Sequence, residues 1–372
     1  MEGLSTVANG DRAIMIPQLY SWYTGCFLEY EFNKVVVMRR NILIFFSFIF
    51  IMLSGCGGGS DGASGDTDTS NYGVFYDSRV SGLEYRSPSY SGVTDQNGEF
   101  RYQAGETIRF SVGGIEIGET EVRGIITPMT LVGVSDPNND TVVNIIRFLQ
   151  TLDDDADPQV PSGIVINEGV RGLAAGHSIN FNQTIVDFEN DSNVLSVIAM
   201  LTEATSAGVR SLVPSDGAIA HLNQTMSDLF LLALDTYSGS YGSEQINCTD
   251  NQDHSFVVAQ GDLQLSSRVM NSNGASVNGT ATFIDYNYDV VGRYEFTFNN
   301  LSIDYLGNIN GIAAHSVYEN DVLVGTTDNF PIPSGQWDGN SLIIRFQKST
   351  NVGVTESGDV RCDSGAIIRV SK

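Results

Sequence analysis

The stretch "RYEFTFNNLSIDYL" (Arg293–Leu306) decides how the second half of this chain folds. Tyr294, Phe296 and Phe298 alternate with Glu295, Thr297 and Asn299. A period of two fits a strand with one buried face; a helix would repeat its apolar residues every three or four. "LIIRFQKS" (Leu342–Ser349) repeats the pattern, with Leu342, Ile344 and Phe346 on one face. Asn273-Gly274, Gly307-Asn308 and Asp338-Gly339-Asn340 are turn signals between such runs, because Asn, Asp and Gly tolerate left-handed backbone. From Tyr237 to the end the chain reads as about eight antiparallel strands, closing as a small barrel or sandwich.

Upstream the period changes. "DTVVNIIRFLQTL" (Asp140–Leu152) carries Val142, Ile145, Ile146 and Leu149 at helical spacing, with Asp140 as N-cap. A second helix runs from Ser192 to about Ala207, with Val194, Val197, Ile198 and Leu201 on one face and Gly208 behind it. A third starts near Ser215-Asp216, includes Ile219, Leu222, Met226, Leu229 and Phe230, and reaches about Leu234. These stripes are core in the first instance. Before them, from Tyr72 to about Leu131, short strands alternate with turns, as in a sandwich. Ile108, Phe110 and Val112 alternate with Arg109 and Ser111, and Gln96-Asn97-Gly98 is a turn.

Two resemblances accompany this reading. Thr94-Asp95-Gln96-Asn97-Gly98-Glu99-Phe100 looks like the hairpin of small prealbumin-like or carboxypeptidase-regulatory-like sandwiches. That implies a structural or adhesive module over 72–131. Tyr237-Ser238-Gly239-Ser240-Tyr241 resembles the opening strand of lipocalin-like barrels found in bacterial lipoproteins. The fold class expected is mainly β with a helical middle segment: a sandwich-like first part, three helices, then an antiparallel β-barrel or sandwich over 236–372.

The N-terminus gives an address. Arg39-Arg40 precedes the apolar run "ILIFFSFIFIML" (Ile42–Leu53). The run is too short for a comfortable membrane span, which needs about 20 apolar residues. It has the form of a signal-peptide h-region. Leu53-Ser54-Gly55-Cys56 then resembles the lipobox of bacterial lipoproteins. The resemblance implies cleavage between Gly55 and Cys56 and a lipid on Cys56. Gly57 follows where an Asp would signal retention, which implies the outer membrane of a Gram-negative cell. Residues 56–71 are a Gly/Ser-rich tether. Met38 stands directly before Arg39, so 38–55 makes an ordinary signal peptide and 1–37 reads as a mis-assigned start.

The charge sets limits on partners. The net charge is −25, from 19 Lys+Arg against 44 Asp+Glu. Nucleic acid and anionic head groups are poor main partners for such a chain. Solubility, cations or a salty environment suit it better. The expected partners are the membrane, through Cys56, and a protein or glycan.

Two constellations carry candidate chemistry. Cys248 and Cys362 remain after lipidation in an exported chain and are expected to pair. They would close a loop of 114 residues, worth about 4–5 kcal/mol in the chain-entropy picture. "TLDDDADP" (Thr151–Pro158) places Asp153, Asp155 and Asp157 in alternation after a helix. Alternating aspartates present oxygen ligands in calcium loops, so calcium is a candidate ion. The loop departs from the EF-hand pattern, with Pro158 where Gly is required and Ile164 where the bidentate Glu would stand. A solvated acidic loop is the competing reading.

Enzyme signals are poor. Asp253-His254-Ser255 sets triad residue types side by side, whereas a triad converges from separate segments. No nucleophile elbow, zinc-binding helix or P-loop occurs. His177, His221, His254 and His315 have no ligand spacing, and His221 reads as a surface or packing residue. No catalytic residue is assigned. The functional expectation is a non-enzymatic binding or surface-interaction protein. The alternatives are a hydrolase of envelope or external polymer, and a carrier of a small hydrophobic ligand with Tyr294, Phe296 and Phe298 lining its interior.

Overall fold

The computed structural model describes residues 71–158, 163–246, 248–249, 254–286, 290–346, 349–355 and 358–372. Residues 1–70, with the expected signal, Gly55, Cys56 and tether, lie outside the described residues.

The first part is built from short elements. β1 (Asn71–Phe75), β2 (Val80–Ser81), β3 (Glu84–Arg86), β4 (Ser91–Val93), β5 (Glu99–Tyr102), β6 (Thr107–Val112), β7 (Ile115–Glu121) and β8 (Ile125–Ile126) come first. All but β2 form a sheet of order β5-β1-β8 and another of order β4-β3-β6-β7. The two meet through aromatic rings: Phe110 lies 5.0 Å from Phe75 and 5.2 Å from Phe100. Ile108, Phe110 and Val112 are buried, as the alternation requires. The Asp95–Gly98 turn forms as expected. Asp95 Oδ1 accepts from Asn97 N at 2.8 Å and Glu99 N at 2.9 Å, and Gly98 sits at φ 74°, a region glycine enters without steric cost. It is not a hairpin, however. β4 pairs with β3 and β5 with β1, so the turn carries the chain from one sheet to the other.

Six helices follow among the described residues where three are expected. They are α1 (Pro128–Val132), α2 (Asp140–Thr151), α3 (Glu168–Ala174), α4 (Ile185–Asn190), α5 (Ser192–Glu203) and α6 (Ser215–Leu229), with β9 (Ile164–Val165) paired to β2 between α2 and α3. The additional three are short and are set by their caps: Thr127, Asn167 and Thr184 side chains accept from main-chain N–H groups of the first turn. Asn139, not Asp140, caps α2. Helix α6 stops at Leu229 rather than near Leu234, because i→i+3 bonds from Leu231, Leu232 and Leu234 tighten the chain into turns.

The remainder is one curled sheet. Its strands are β10 (Thr236–Ile246), β11 (His254–Asn271), β12 (Gly274–Asp285), β13 (Gly292–Asp304), β14 (Ile309–Glu319), β15 (Val322–Ile332), β16 (Ser334–Trp337), β17 (Ser341–Arg345), β18 (Ser349–Thr355) and β19 (Gly358–Ser371). The order is β15-β14-β13-β12-β11-β10-β19-β17-β16, with β18 on β19. A meander of six strands is thus followed by a last strand that returns to the first. The sheet makes a half-barrel. At one end the Asn308–Gln336 bridge lets β16 approach the start of β14. Along Val322–Thr327, β15 is paired on its β14 side only among the described residues.

The core does not respect a boundary near residue 235. Val142 and Ile146 of α2, and Ala218, Leu222 and Met226 of α6, pack with Phe296, Trp337 and Ile344 of the half-barrel. Ile145, Phe148 and Leu149 of the same α2 pack with Phe75, Phe110 and Leu201. The expected single stripe on α2 is therefore split between two cores. No helix among the described residues is long and apolar enough to cross a membrane.

Candidate functional site

One cluster of titratable side chains forms where the first part meets α2 and α6. The chain turns at Asp77-Ser78, bridged by Tyr76 and Arg79. Ser78 takes φ 57°, a left-handed conformation uncommon outside glycine, Asn and Asp. Its Oγ lies 3.0 Å from Nε2 of His221 and 3.4 Å from Oγ1 of Thr225, both on α6. Its N–H donates to Thr225 Oγ1 at 3.1 Å. Asp77 is fully buried, and Gln150 Nε2 donates to its two oxygens at 3.2 and 3.1 Å.

The electrostatics follow from burial. Desolvation pushes the Asp77 carboxyl up to about 7, against the Gln150 hydrogen bond. Desolvation also lowers the His221 imidazole, opposed by the Asp77 main chain and the charge of Asp157. Near neutral pH the imidazole is neutral and the carboxyl is close to half protonated.

Ser78 and His221 are within the reach a nucleophile and its base need. The third member is misplaced. Asp77 Oδ1 is 3.9 Å from Nε2, the nitrogen that already faces Ser78. An orienting carboxylate belongs on the other ring nitrogen. Ser78 is also only 9% exposed. The arrangement fastens the β1–β2 turn to two helices, α2 through Gln150 and α6 through His221 and Thr225.

A second cluster lies inside the half-barrel, where the imidazole of His315 on β14 is packed among aromatic rings. Phe296 stacks on it at 4.4 Å and 16°, Phe330 at 5.8 Å, and Tyr294 at 6.4 Å. Phe330 of β15 stacks in turn on Phe346, at 4.6 Å. His315 is 8% exposed, and burial lowers its imidazole to about 4. Its Nε2 is shielded and has no hydrogen-bond partner among the described residues.

No protein-family profile, curated protein or solved structure matches this chain. The site must be read from its own chemistry.

The other residues singled out in the sequence are placed as follows. Tyr294, Phe296 and Phe298 do share the inner face, but Phe296 and Phe298 are at most 1% exposed and are packing residues. Asp153 is fully buried, its Oδ1 accepts from Val165 N at 2.8 Å, and its Oδ2 has no hydrogen-bond partner among the described residues. Desolvation first, and neighbouring Asp155 after it, raise it to about 6 against the main-chain hydrogen bond from Val165. Asp155 accepts from Asp157 N at 3.0 Å. Asp154, not singled out, is the better tied: it accepts from Ser206 Oγ at 2.6 Å and from Asn167 Nδ2. Among the described residues no three His, Cys, Asp or Glu side chains stand together as a metal site. His177 is exposed. Asp253 and the side chains of His254 and Ser255 lie outside the described residues.

Cys248 is 6% exposed and its thiol is not free. The side chain of Cys362 lies outside the described residues, but its position on β19 is fixed by register: β10 and β19 pair through Ile246 and Asp363. Cys248 follows that pair by two residues and Cys362 precedes it by one.

The signal for this cluster is long-range. Asp77-Ser78 carries no motif, and His221 looks like any helix residue until α6 is packed against the turn.

Proposed function

We propose that this chain is an exported protein held to the outer membrane by a lipid on Cys56, and that it acts by binding a protein or glycan rather than by catalysis. The observation that carries the reading is the order of segments: Arg39-Arg40, a short apolar run, Leu53-Ser54-Gly55-Cys56, a glycine-rich tether, and then folded chain from Asn71. Two lipids or more make an anchor durable, while the tether leaves the fold free to meet partners. The test is metabolic labelling with palmitate in the producing cell. Label on the chain that disappears with Cys56→Ser supports the anchor, and an unlabelled chain removes it. A thermal-shift screen against glycans, lipids and metals tests the binding half.

The same proposal pairs Cys248 with Cys362, supported by the engaged thiol of Cys248 and the β10–β19 register. It also carries calcium at Asp153, Asp155 and Asp157. The support there is the buried Oδ2 of Asp153, which has no hydrogen-bond partner among the described residues; that the three carboxylates do not stand together as a metal site weighs against it, and a melting temperature unmoved by millimolar calcium would retire the ion.

A hydrolase is the second reading, favoured by the 3.0 Å contact between Ser78 Oγ and His221 Nε2. The position of Asp77 and the burial of Ser78 weigh against it.

A further inference from the structure

His315 stands at the weakest seam of the half-barrel. Near it, β15 is an edge strand, and the step from β15 to the end of β17 is made by side chains, Phe330 on Phe346 at 4.6 Å, instead of a backbone ladder. Tyr241, Tyr294 and Phe330 are only partly buried there, whereas Phe296 beneath them is sealed. Into this partly open aromatic cluster the chain places Nε2 of His315, a polar atom without a hydrogen-bond partner among the described residues. A buried nitrogen left unsatisfied costs the fold its desolvation. A phenyl ring in its place would stack on Phe296 equally well and carry no such penalty. A residue that lowers stability without repaying it in packing is where a ligand contact is expected.

We propose that this seam binds a flat, uncharged aromatic molecule bearing one hydroxyl group, stacked between Tyr294 and Phe330 and hydrogen-bonded through that hydroxyl to Nε2 of His315. The inference rests on the binding reading above and names the ligand class for one site within it. The aromatic walls supply stacking and apolar contact for any such ring. Nε2 supplies the selection, since a ring lacking the hydroxyl leaves the nitrogen unpaired. Entry requires Phe330 to swing from Phe346. That motion breaks ring contacts and no ladder hydrogen bonds.

The test uses the full chain in lipid nanodiscs, with empty nanodiscs as the blank, and two probes: 2-naphthol and naphthalene. Saturable binding of naphthol, about 3–10-fold tighter than naphthalene, is expected from one net hydrogen bond. His315→Phe should erase that preference. His315→Leu serves if the Phe variant fails to fold. In the unmutated protein, the ring ¹⁵N resonance of Nε2 should shift on adding naphthol and stay put on adding naphthalene. Equal binding of both probes, an unmoved Nε2 resonance, or a preference that survives in the variants overturns the inference. If neither probe saturates while a glycan or lipid scores in the broader screen, this inference fails and the binding reading stands.

Discussion

Ser78 Oγ and His221 Nε2 lie 3.0 Å apart although 143 residues separate them in sequence. The contact exists because α6 packs its Ala218–Leu222–Met226 stripe into the half-barrel core and so brings His221 and Thr225 to the Asp77-Ser78 turn. Ser78 holds φ 57° there. Such backbone persists when its surroundings over-determine it, and here Thr225 bonds both the N–H and the Oγ. The cluster is first of all a joint.

A joint and a nucleophile respond differently to removal of the hydroxyl. Ser78→Ala should lower stability by about 1 kcal/mol, the worth of an ordinary hydrogen bond. A fluorophosphonate probe should leave Ser78 unlabelled in the unmutated chain. Covalent label on Ser78, found by peptide mass spectrometry, would overturn the binding reading in favour of the hydrolase.

The pH dependence of this joint has a definite sign. Burial raises the Asp77 carboxyl to about 7, so folding favours its protonated form. That contribution is complete below the unfolded value of about 4 and is lost as pH rises through 7. His221 is lowered, so its contribution is present above about 6.5 and is lost as pH falls. Asp77→Asn should therefore raise the melting temperature at pH 8 relative to the unmutated chain and not at pH 4.5. The carboxamide still offers Gln150 one acceptor oxygen. Melting curves across pH 4.5–8.5 decide this; parallel curves for the two proteins would refute it.

What the sequence could disclose was whatever depends on near neighbours. Alternation placed Ile108, Phe110 and Val112, and equally Leu342, Ile344 and Phe346, on buried faces, because a strand's two sides are fixed by its own pleat. Asp95 and Gly98 specified their turn, since its hydrogen bonds close within four residues. The destination of that turn was not legible: whether β5 joins β4 or β1 depends on Phe100 meeting Phe110 of the other sheet. Likewise the apolar stripe on α2 says that it is buried but not that Val142 and Phe148 serve different cores. The Ser78–His221 contact and the seam at His315 are products of packing. Nothing in their local sequence marks them.

His315 gives a prediction that is independent of any ligand. Its Nε2 is buried without a hydrogen-bond partner among the described residues, and burial lowers the imidazole to about 4. The neutral form is favoured in the fold, so stability is lost as pH falls from 6.5 through 4. His315→Phe should raise stability at pH 7 by about 1–2 kcal/mol and should lessen the decline in acid. Chemical denaturation at pH 7 and pH 4.5 measures both. A destabilised variant with an unchanged acid slope would mean that Nε2 is satisfied in solution.

On the outer face, Glu244 of β10 holds the two strands that complete the sheet. Its Oε2 accepts from Arg345 Nε at 2.8 Å and its Oε1 from Arg369 at 2.6 Å. The carboxylate is 14% exposed and the arginines 32% and 39%, so solvent screens the pairs in part. Glu244→Gln should cost about 1 kcal/mol. The loss should shrink in molar salt, where the Debye length is about 3 Å. A cost that is the same at low and high salt would assign it to packing.

The division of α2 between two cores bears on cooperativity. Ile146 belongs to the core that continues through α6 into the half-barrel, and Phe148, two residues on, belongs to the core of the first part. A helix buried on both sides cannot leave one core without exposing the other, so the two parts should unfold together. Trp337 reports on the half-barrel, held by Phe230 at 5.4 Å and by its Nε1 donating to Tyr237 Oη at 3.2 Å. The other tryptophan, Trp22, precedes the predicted signal peptide and would be lost with it. Ile146→Ala should cost about 2–5 kcal/mol and Phe148→Ala about 3–5 kcal/mol. Each should shift the Trp337 fluorescence transition and the far-UV circular-dichroism transition by the same amount. If Phe148→Ala moved the circular-dichroism transition and left the Trp337 transition in place, the two cores would be independent folding units, and α2 would belong to only one of them.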